Sequence, residues 1–159
     1  MRKIILLTVV AVMAVTIVNA QEFTKGDWAA NVGISLDELD PLIFGGSIEY
    51  GLVDNVFNLN GLTLGLGAEA SYWSKSNVSA ICLGVRVPFH YSPVAKLDLY
   101  TAPALIWARA EVLGYSNSNT DFGWTFIGAR YFFSPNIGAF LELGHHNALG
   151  LGAGVSFKF

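Results

Sequence analysis

The chain has 159 residues, of which 53% are hydrophobic and 13% charged, with 17 glycines, one cysteine and a formal net charge of -3. The hydrophobic share exceeds that of an ordinary soluble domain, and the charged share is about half of the usual one. This composition excludes a disordered chain, a disulfide scaffold and a basic nucleic-acid-binding protein. It leaves a mostly β protein with more apolar surface than one core can bury.

The first 20 residues, MRKIILLTVVAVMAVTIVNA, have the features of a secretory signal peptide. Arg2 and Lys3 precede an apolar stretch, and Val18 and Ala20 are the small residues that signal peptidase needs before its cleavage point. An uncleaved N-terminal membrane anchor is the alternative. We therefore expect residues 1–20 to be cleaved and residues 21–159 to form a single domain.

From Trp28 onward, apolar residues recur at every second position, which is the period of a β-strand with two different faces. Residues 81–91, for example, read ICLGVRVPFHY. After residue 20 there is no run of about 18 apolar residues, which a transmembrane helix would need. The alternation predicts eight strands, each near the length that a tilted strand needs to cross a bilayer, over residues 27–36, 42–52, 62–73, 79–91, 96–109, 121–133, 137–146 and 148–159.

One face of these strands is apolar throughout, and in the last strand it begins at Leu149. The other face carries mostly Gly, Ala and Ser with a few isolated charges. A solvated surface normally carries many Lys and Glu residues, whereas small residues with sparse charges fit the interior of a closed barrel in lipid. We therefore predict an all-β fold, an eight-stranded antiparallel up-and-down transmembrane β-barrel, with a soluble lipocalin-like barrel as the alternative. The charges predicted to face inward are Glu49, Glu69, Arg86, Asp98, Arg130 and Glu142.

Aromatic side chains on the apolar face provide a check, because amphipathic rings favour the two headgroup layers of a membrane. One end of the predicted barrel has a clear aromatic girdle, and the other has a thinner one with Tyr72 and Trp107. Arg109 also falls on this face, but it lies far enough along its strand from Leu97 to be expected above the hydrocarbon. The clear girdle consists of Trp28, Tyr50, Phe89, Tyr91, Tyr131, Phe133, Phe157 and Phe159.

The connections between the predicted strands alternate in character. Residues 92–96 (SPVAK) and 134–136 (SPN) are short turns, as expected on the periplasmic side of such a barrel. The polar stretches after Leu36, Trp73 and Val112 are predicted to be outer loops. Residues 53–61 form a longer connection, part of which could extend a strand.

The last two hairpins, ARYFFSPNIGAFLELGHHNALGLGAGVSFKF, resemble those of the OmpA-like small outer-membrane β-barrel family, as do the segments EYGLVDN and HYSPVAKLDLY. The resemblance is to the barrel domain of that family only, and we expect no peptidoglycan-binding domain after the last predicted strand. The resemblance implies a location in the outer membrane of a Gram-negative cell. It also implies contact with outer-membrane lipids and lipopolysaccharide. The chain end is similar to the signal that outer-membrane assembly machinery reads, with Phe157 and Phe159 as its aromatic residues.

The inward charges suggest a salt-bridge network inside the barrel. If Tyr91 pairs with Leu97 across the short turn, His90 lies opposite Asp98. If Phe133 pairs with Ile137, two inward charges of the last hairpins become diagonal neighbours. A network that plugs the lumen is expected, and a gated narrow channel for ions or small solutes is the alternative. The network would comprise Glu49, Glu69, Arg86, His90, Asp98, Arg130 and Glu142.

A lipid-modifying enzyme is a more remote alternative, since some eight-stranded barrels use His, Ser and an acid at their outer rim. The candidate residues form no recognised motif, and the three histidines are too few and scattered for a metal site. The acidic stretch at residues 37–40 is expected to be a solvated loop tip. We therefore predict a monomeric, non-enzymatic protein without cofactor, with a structural or surface-contact role. The residues weighed for catalysis are Glu111, Ser116, Ser118, Asp121, His145 and His146.

Overall fold

The computed structural model describes residues 22–39, 41–145 and 149–159, so the predicted signal peptide and His146 lie outside the described residues. Among the described residues, no helix is long and apolar enough to span a membrane. A short 3-10 turn covers Val56–Asn58. The described strands are β1 (Trp28–Leu39), β2 (Leu42–Asp54), β3 (Leu62–Lys75), β4 (Val78–Arg86), β5 (Phe89–Val94), β6 (Leu97–Val112), β7 (Tyr115–Phe132), β8 (Ile137–His145) and β9 (Leu151–Lys158).

These strands form one antiparallel sheet that closes on itself, because β1 pairs with β2 on one side and with β9 on the other. β4 and β5 both lie between β3 and β6. They keep a single register, since Gly67 faces Arg86 and Leu64 faces Phe89. β4 and β5 are therefore two parts of one crossing, and the sheet is a barrel of eight crossings. The predicted fold class is confirmed.

The break between β4 and β5 corrects the single predicted strand 79–91. Pro88 has no N–H to donate to a strand ladder, which interrupts regular pairing. The neighbouring backbone groups still bond across the break: the Gly65 N–H donates to the Pro88 carbonyl at 2.8 Å, and the Val87 N–H donates to that of Pro103 at 2.9 Å. The chain consequently stays extended through the proline, and the crossing is preserved.

Side chains alternate between the inside and the outside of the barrel. In β6, Tyr100, Ala102 and Ala104 are buried, whereas the outward-facing Leu105 is 60% exposed. The outer surface carries many further exposed apolar side chains, such as Phe44, Val85 and Leu141. An outer surface of this kind fits lipid rather than water.

A β-bulge in β7 reverses which residues face outward along that strand. The β7–β8 register shifts between Thr125 and Ile127, and the adjacent residues Phe126 and Ile127 are both exposed. A bulge inserts one unpaired residue and so moves the alternation by one position. On the C-terminal side of the bulge the even-numbered residues of β7 face inward, which places Arg130 in the interior.

The predicted outer loops are shorter than expected, because the strands continue into them. β1 runs to Leu39, and β3 and β4 are joined by the turn at residues 76–77. β6 and β7 are joined at Leu113 and Gly114, whose φ angles of 52° and 84° suit a two-residue hairpin turn. The prediction of a loop after Val112 is therefore wrong, since β7 already begins at Tyr115.

Leu149 corrects the predicted start of the last strand. It was assigned to the apolar outer face, but its side chain is buried inside the barrel, and β9 begins only at Leu151. Gly150, with a φ of 65°, turns the chain and ends the alternation there. A Cβ at Gly45 or Gly152 would lie 2.6 Å from side-chain atoms of Leu149. These glycines thus provide the space that Leu149 fills.

Candidate functional site in the barrel interior

The barrel interior contains a compact network of ionised side chains. Alternation along the strands turns them inward, and the structure brings all of them together, each at most 5% exposed. β2 contributes Glu49, β3 contributes Glu69, and the crossing made by β4 and β5 contributes Arg86 and His90. The remaining members, on β6, β7 and β8, are Asp98, Arg130 and Glu142.

Arg130 joins three strands across the interior. Its Nη2 donates to Glu49 Oε2, its Nη1 donates to Asp98 Oδ2 at 3.0 Å, and its Nε donates to Asn31 Oδ1 at 3.0 Å. The planar guanidinium supplies donors in a fixed fork, so one side chain can hold several carboxylates in a defined arrangement. Each of these acceptors lies on a different strand from Arg130.

Arg86 makes a second centre beside the first. Its Nε lies 3.1 Å from Glu49 Oε1, and its Nη1 lies 3.3 Å from Glu69 Oε2. Its Nη2 lies 3.2 Å from Glu142 Oε1. Glu49 thereby links the two arginines, one through each carboxylate oxygen.

His90 lies between two carboxylates. Its Nδ1 is 3.0 Å from Asp98 Oδ2, and its Nε2 is 3.4 Å from Glu49 Oε2. The protonated imidazole is the form that can donate from both ring nitrogens. The predicted pairing of Tyr91 with Leu97 is wrong, because β5 continues to Val94 and Tyr91 faces Leu99. His90 therefore lies opposite Tyr100 and contacts Asp98 diagonally.

Tyr100 is a member of the network that the sequence reasoning missed. Its hydroxyl donates to Glu142 Oε1 at 2.7 Å and accepts from Asn31 Nδ2 at 3.2 Å. The centroid of its ring lies 4.3 Å from the Cζ atom of Arg130. The available signal was its position two residues after Asp98, on the inward face of β6.

The predicted diagonal relation of Arg130 and Glu142 agrees with the β7–β8 register, in which Arg130 faces Phe140.

The segment before β1 covers the network on the side where the chain enters and leaves the barrel. Phe23 is buried, and the centroid of its ring lies 4.1 Å from that of His90. Glu22 fastens this segment, since its carboxylate lies 2.7 Å from Lys158 Nζ and accepts from the Lys96 N–H at 3.1 Å. The sequence reasoning started the barrel at residue 27 and missed this covering segment.

On the opposite side of the network, Phe140 and Leu149 fill the interior. Both are buried, and they lie around a gap shared with Arg86 and Glu142. This gap is too narrow to contain a water molecule. Ionised groups thus occupy the middle of the interior, with apolar side chains on either side of them.

The outer-rim residues weighed for catalysis do not assemble into a catalytic arrangement within the described part of the chain. Glu111 and Ser116 face each other across β6 and β7, but His145 pairs with Trp124. Six residues along β7 separate Trp124 from Ser118, which is about 20 Å at the usual strand rise. Among the described residues, no group of three or more His, Cys, Asp and Glu side chains is placed to hold a metal ion.

The chain end closes the barrel. The Trp28 N–H donates to the Phe159 carbonyl at 2.9 Å, and the Phe159 N–H donates to that of Trp28 at 3.0 Å. The side chains of Phe157 and Phe159 are both exposed on the outside. The two aromatic residues of the predicted assembly signal thus lie on the lipid-facing side of the strand that completes the ring.

No protein-family model and no curated protein matches the chain, but solved structures do. The N-terminal β-barrel domain of OprF from Pseudomonas aeruginosa is similar, with a TM-score of 0.60 and 18% identity over 86% of this chain and 98% of that chain. A de novo designed transmembrane β-barrel has a TM-score of 0.54 and 21% identity, also over 86% of this chain and 98% of that chain. Likenesses at these identities show the fold. The chain has the fold of the small outer-membrane β-barrels.

Proposed function

We propose that the protein is a closed β-barrel of the outer membrane with a structural role, its interior filled by the charge network and the apolar side chains around it. The apolar outer surface and the likeness in fold to the OprF barrel domain support the location. The observation that carries the closed interior is the water-excluding gap between Arg86, Glu142, Phe140 and Leu149.

The test is single-channel conductance of the refolded protein in a planar bilayer, with Arg130→Ala as the variant. The wild type should be silent, because a buried arginine network leaves no continuous water path. Arg130→Ala should give a small leak, because it removes the side chain that joins Glu49, Asp98 and Asn31 and so loosens the network, while the apolar side chains on either side of it remain. Lys25→Ala is the control, since this lysine is exposed and its backbone N–H, which the substitution keeps, donates to Asp54.

The narrow-channel alternative predicts a different result. Discrete openings in the wild type would overturn the closed-barrel proposal and favour a pore gated by movement of the ionised side chains. A tryptophan fluorescence spectrum would verify that each variant has folded. A protein that remains soluble and folded without detergent or lipid would contradict the membrane location itself.

Surface contact is a second candidate function, favoured by the outer end of β7. β6 and β7 pair as far as Val112 and Tyr115, whereas the pairing of β7 with β8 begins only at Trp124. Within the described residues, Tyr115–Gly123 therefore pairs on one side only.

The outer part of this edge, from Tyr115 to Ser118, can add an extended strand of another protein through backbone hydrogen bonds, because Ser118 lies opposite Arg109 near the outer end of the apolar surface. The Ser116 N–H points to the unpaired side of β7, because hydrogen-bonded and non-hydrogen-bonded pairs alternate from the two-residue turn onward. Binding of an outside polypeptide that is lost in Ser116→Pro would support this role.

We further propose that β9 carries the assembly signal through Phe157 and Phe159. These exposed aromatic side chains lie on the strand that closes the ring against β1. The assembly machinery could therefore bind them before the ring closes, and they take no part in packing the barrel interior. Phe159→Ala should reduce the amount of barrel assembled in cells while the purified variant refolds normally in detergent. Equal loss in both measurements would indicate a folding defect instead.

A further inference from the structure

Arg109 occupies an unusual position on the outer surface of the barrel. It faces outward from β6, and it lies ten residues beyond Leu99, which pairs with Tyr91 of the opposite aromatic girdle. Ten residues of a strand tilted by about 40° rise roughly 25 Å, which is about the height of the apolar band of an outer-membrane barrel. Arg109 therefore lies at the boundary between the hydrocarbon and the outer headgroups.

The guanidinium of Arg109 is largely unused by the protein. Its one hydrogen bond within the described residues runs from Nη2 to the Ser116 hydroxyl at 3.3 Å, and no described carboxylate forms an ion pair with it. Ser118 lies directly opposite Arg109 on β7. An arginine carries five N–H donors, so most remain available to an anion beside two hydroxyl groups.

The surroundings of Arg109 identify what covers this surface. On the same outward face of β6, Trp107 precedes it and Leu105 lies two residues further in, both exposed to the lipid region. On the outer side, Glu111 faces Ser79 on β4 and Ser116 on β7. Along the outward face of β6, the side chains thus change from apolar at Leu105 and Trp107 to the guanidinium of Arg109. Hydroxyl and carboxylate groups follow at the next step.

We propose that Arg109, with the hydroxyls of Ser116 and Ser118, binds a phosphate of a phosphorylated glycolipid in the outer leaflet. The guanidinium fork matches the geometry of a phosphate, and this depth is where a lipid phosphate lies. Glu111 and Ser79, one step further out, then face the sugar, whose hydroxyls can donate to the carboxylate. This inference rests on the proposed outer-membrane location.

The test measures lipid retained by the refolded protein after extraction from phosphatidylcholine vesicles containing a small fraction of lipid A. Native mass spectrometry would count bound lipid for wild type, Arg109→Gln and Lys25→Gln. A cation near an anionic surface contributes about 1 kcal/mol, so Arg109→Gln should retain about fivefold less lipid A. Lys25→Gln removes one exposed charge at the opposite end of the barrel and should retain as much as wild type.

Two further arms decide the source of the phosphate. The wild type should retain dephosphorylated lipid A as weakly as Arg109→Gln retains phosphorylated lipid A. Excess inorganic phosphate should displace little lipid, since it has no acyl chains to anchor it beside the barrel. Equal retention by Arg109→Gln and Lys25→Gln, or full displacement by inorganic phosphate, would overturn the inference. Failure of the wild type to enter vesicles would instead contradict the proposed location.

Discussion

Glu49 connects the two arginines of the interior, because Oε1 lies 3.1 Å from Arg86 Nε and Oε2 accepts from Arg130 Nη2. Removing one partner from such a group leaves the other charged and out of reach of water. The cost of that uncompensated charge exceeds the value of the ion pair itself. The stability of the barrel therefore depends on the completeness of the network more than on any single pair within it.

Arg130→Met should lower the free energy of unfolding by about 3–5 kcal/mol, because Glu49 and Asp98 lose their shared guanidinium. The double variant Arg130→Met/Glu49→Leu should lose less than the sum of the two single variants, since the two residues are coupled. Urea unfolding in lipid vesicles, followed by tryptophan fluorescence, measures both. Strict additivity would contradict the coupling of these two residues.

Tyr100→Phe should lower the free energy of unfolding by about 1–3 kcal/mol, because Glu142 and Asn31 each lose a buried hydrogen-bond partner. The ring would remain beside Arg130, so the change isolates the hydroxyl. Tyr131→Phe is the matched control, since Tyr131 faces outward and is 54% exposed. An equal effect of the two substitutions in the same urea titration would mean that the buried hydroxyl contributes nothing specific.

The outer part of β7 has a hydrogen-bonded neighbour on one side only among the described residues. β6 has a neighbour on each side over Leu105–Val112, because it pairs with β4 and with β7. Amide hydrogen exchange in lipid should therefore be slow in that part of β6 and faster in Tyr115–Gly123, where opening breaks fewer bonds. The two segments lie in the same hairpin, so each is the control for the other. Equal protection would show that another segment covers the β7 edge.

At the scale of elements, the two-residue alternation was sufficient to predict the barrel and the inward direction of the ionised side chains. It failed where the backbone changes the alternation locally. Gly150 turns Leu149 inward, and the β5–β6 connection is a tighter turn than SPVAK suggested, which moved the register of His90. These features depend on φ angles and bulges, which a pattern of apolar residues does not encode.

The site was less predictable than the fold. Charged residues on the inward face stand out from a background of Gly, Ala and Ser, and so could be found from the sequence. Tyr100 and Asn31 could not be separated from residues that merely fill space, because their role depends on hydrogen bonds between different strands. Phe23 precedes the first strand, and its position against His90 follows from the closed ring rather than from any local pattern.

At the scale of the whole molecule, the barrel interior has obstructions in series. Phe23 covers one side of the network, Arg130 and Arg86 with their carboxylates fill the middle, and Phe140 and Leu149 fill the other side. For constrictions in series, the narrowest one limits the current. Enlarging one of them should therefore give no more than a small current while the others remain.

Phe23→Ala alone should consequently leave the barrel nearly silent in planar bilayers, since the ionised layer remains intact beneath it. Phe23→Ala combined with Arg130→Ala should conduct more than the sum of the two single variants, because two successive obstructions are removed together. Tyr131→Ala is the control for loss of an aromatic ring, as this side chain faces outward. If Phe23→Ala adds nothing to the current through Arg130→Ala, the segment before β1 does not obstruct the path, and the charge network with Phe140 and Leu149 must close the interior without it.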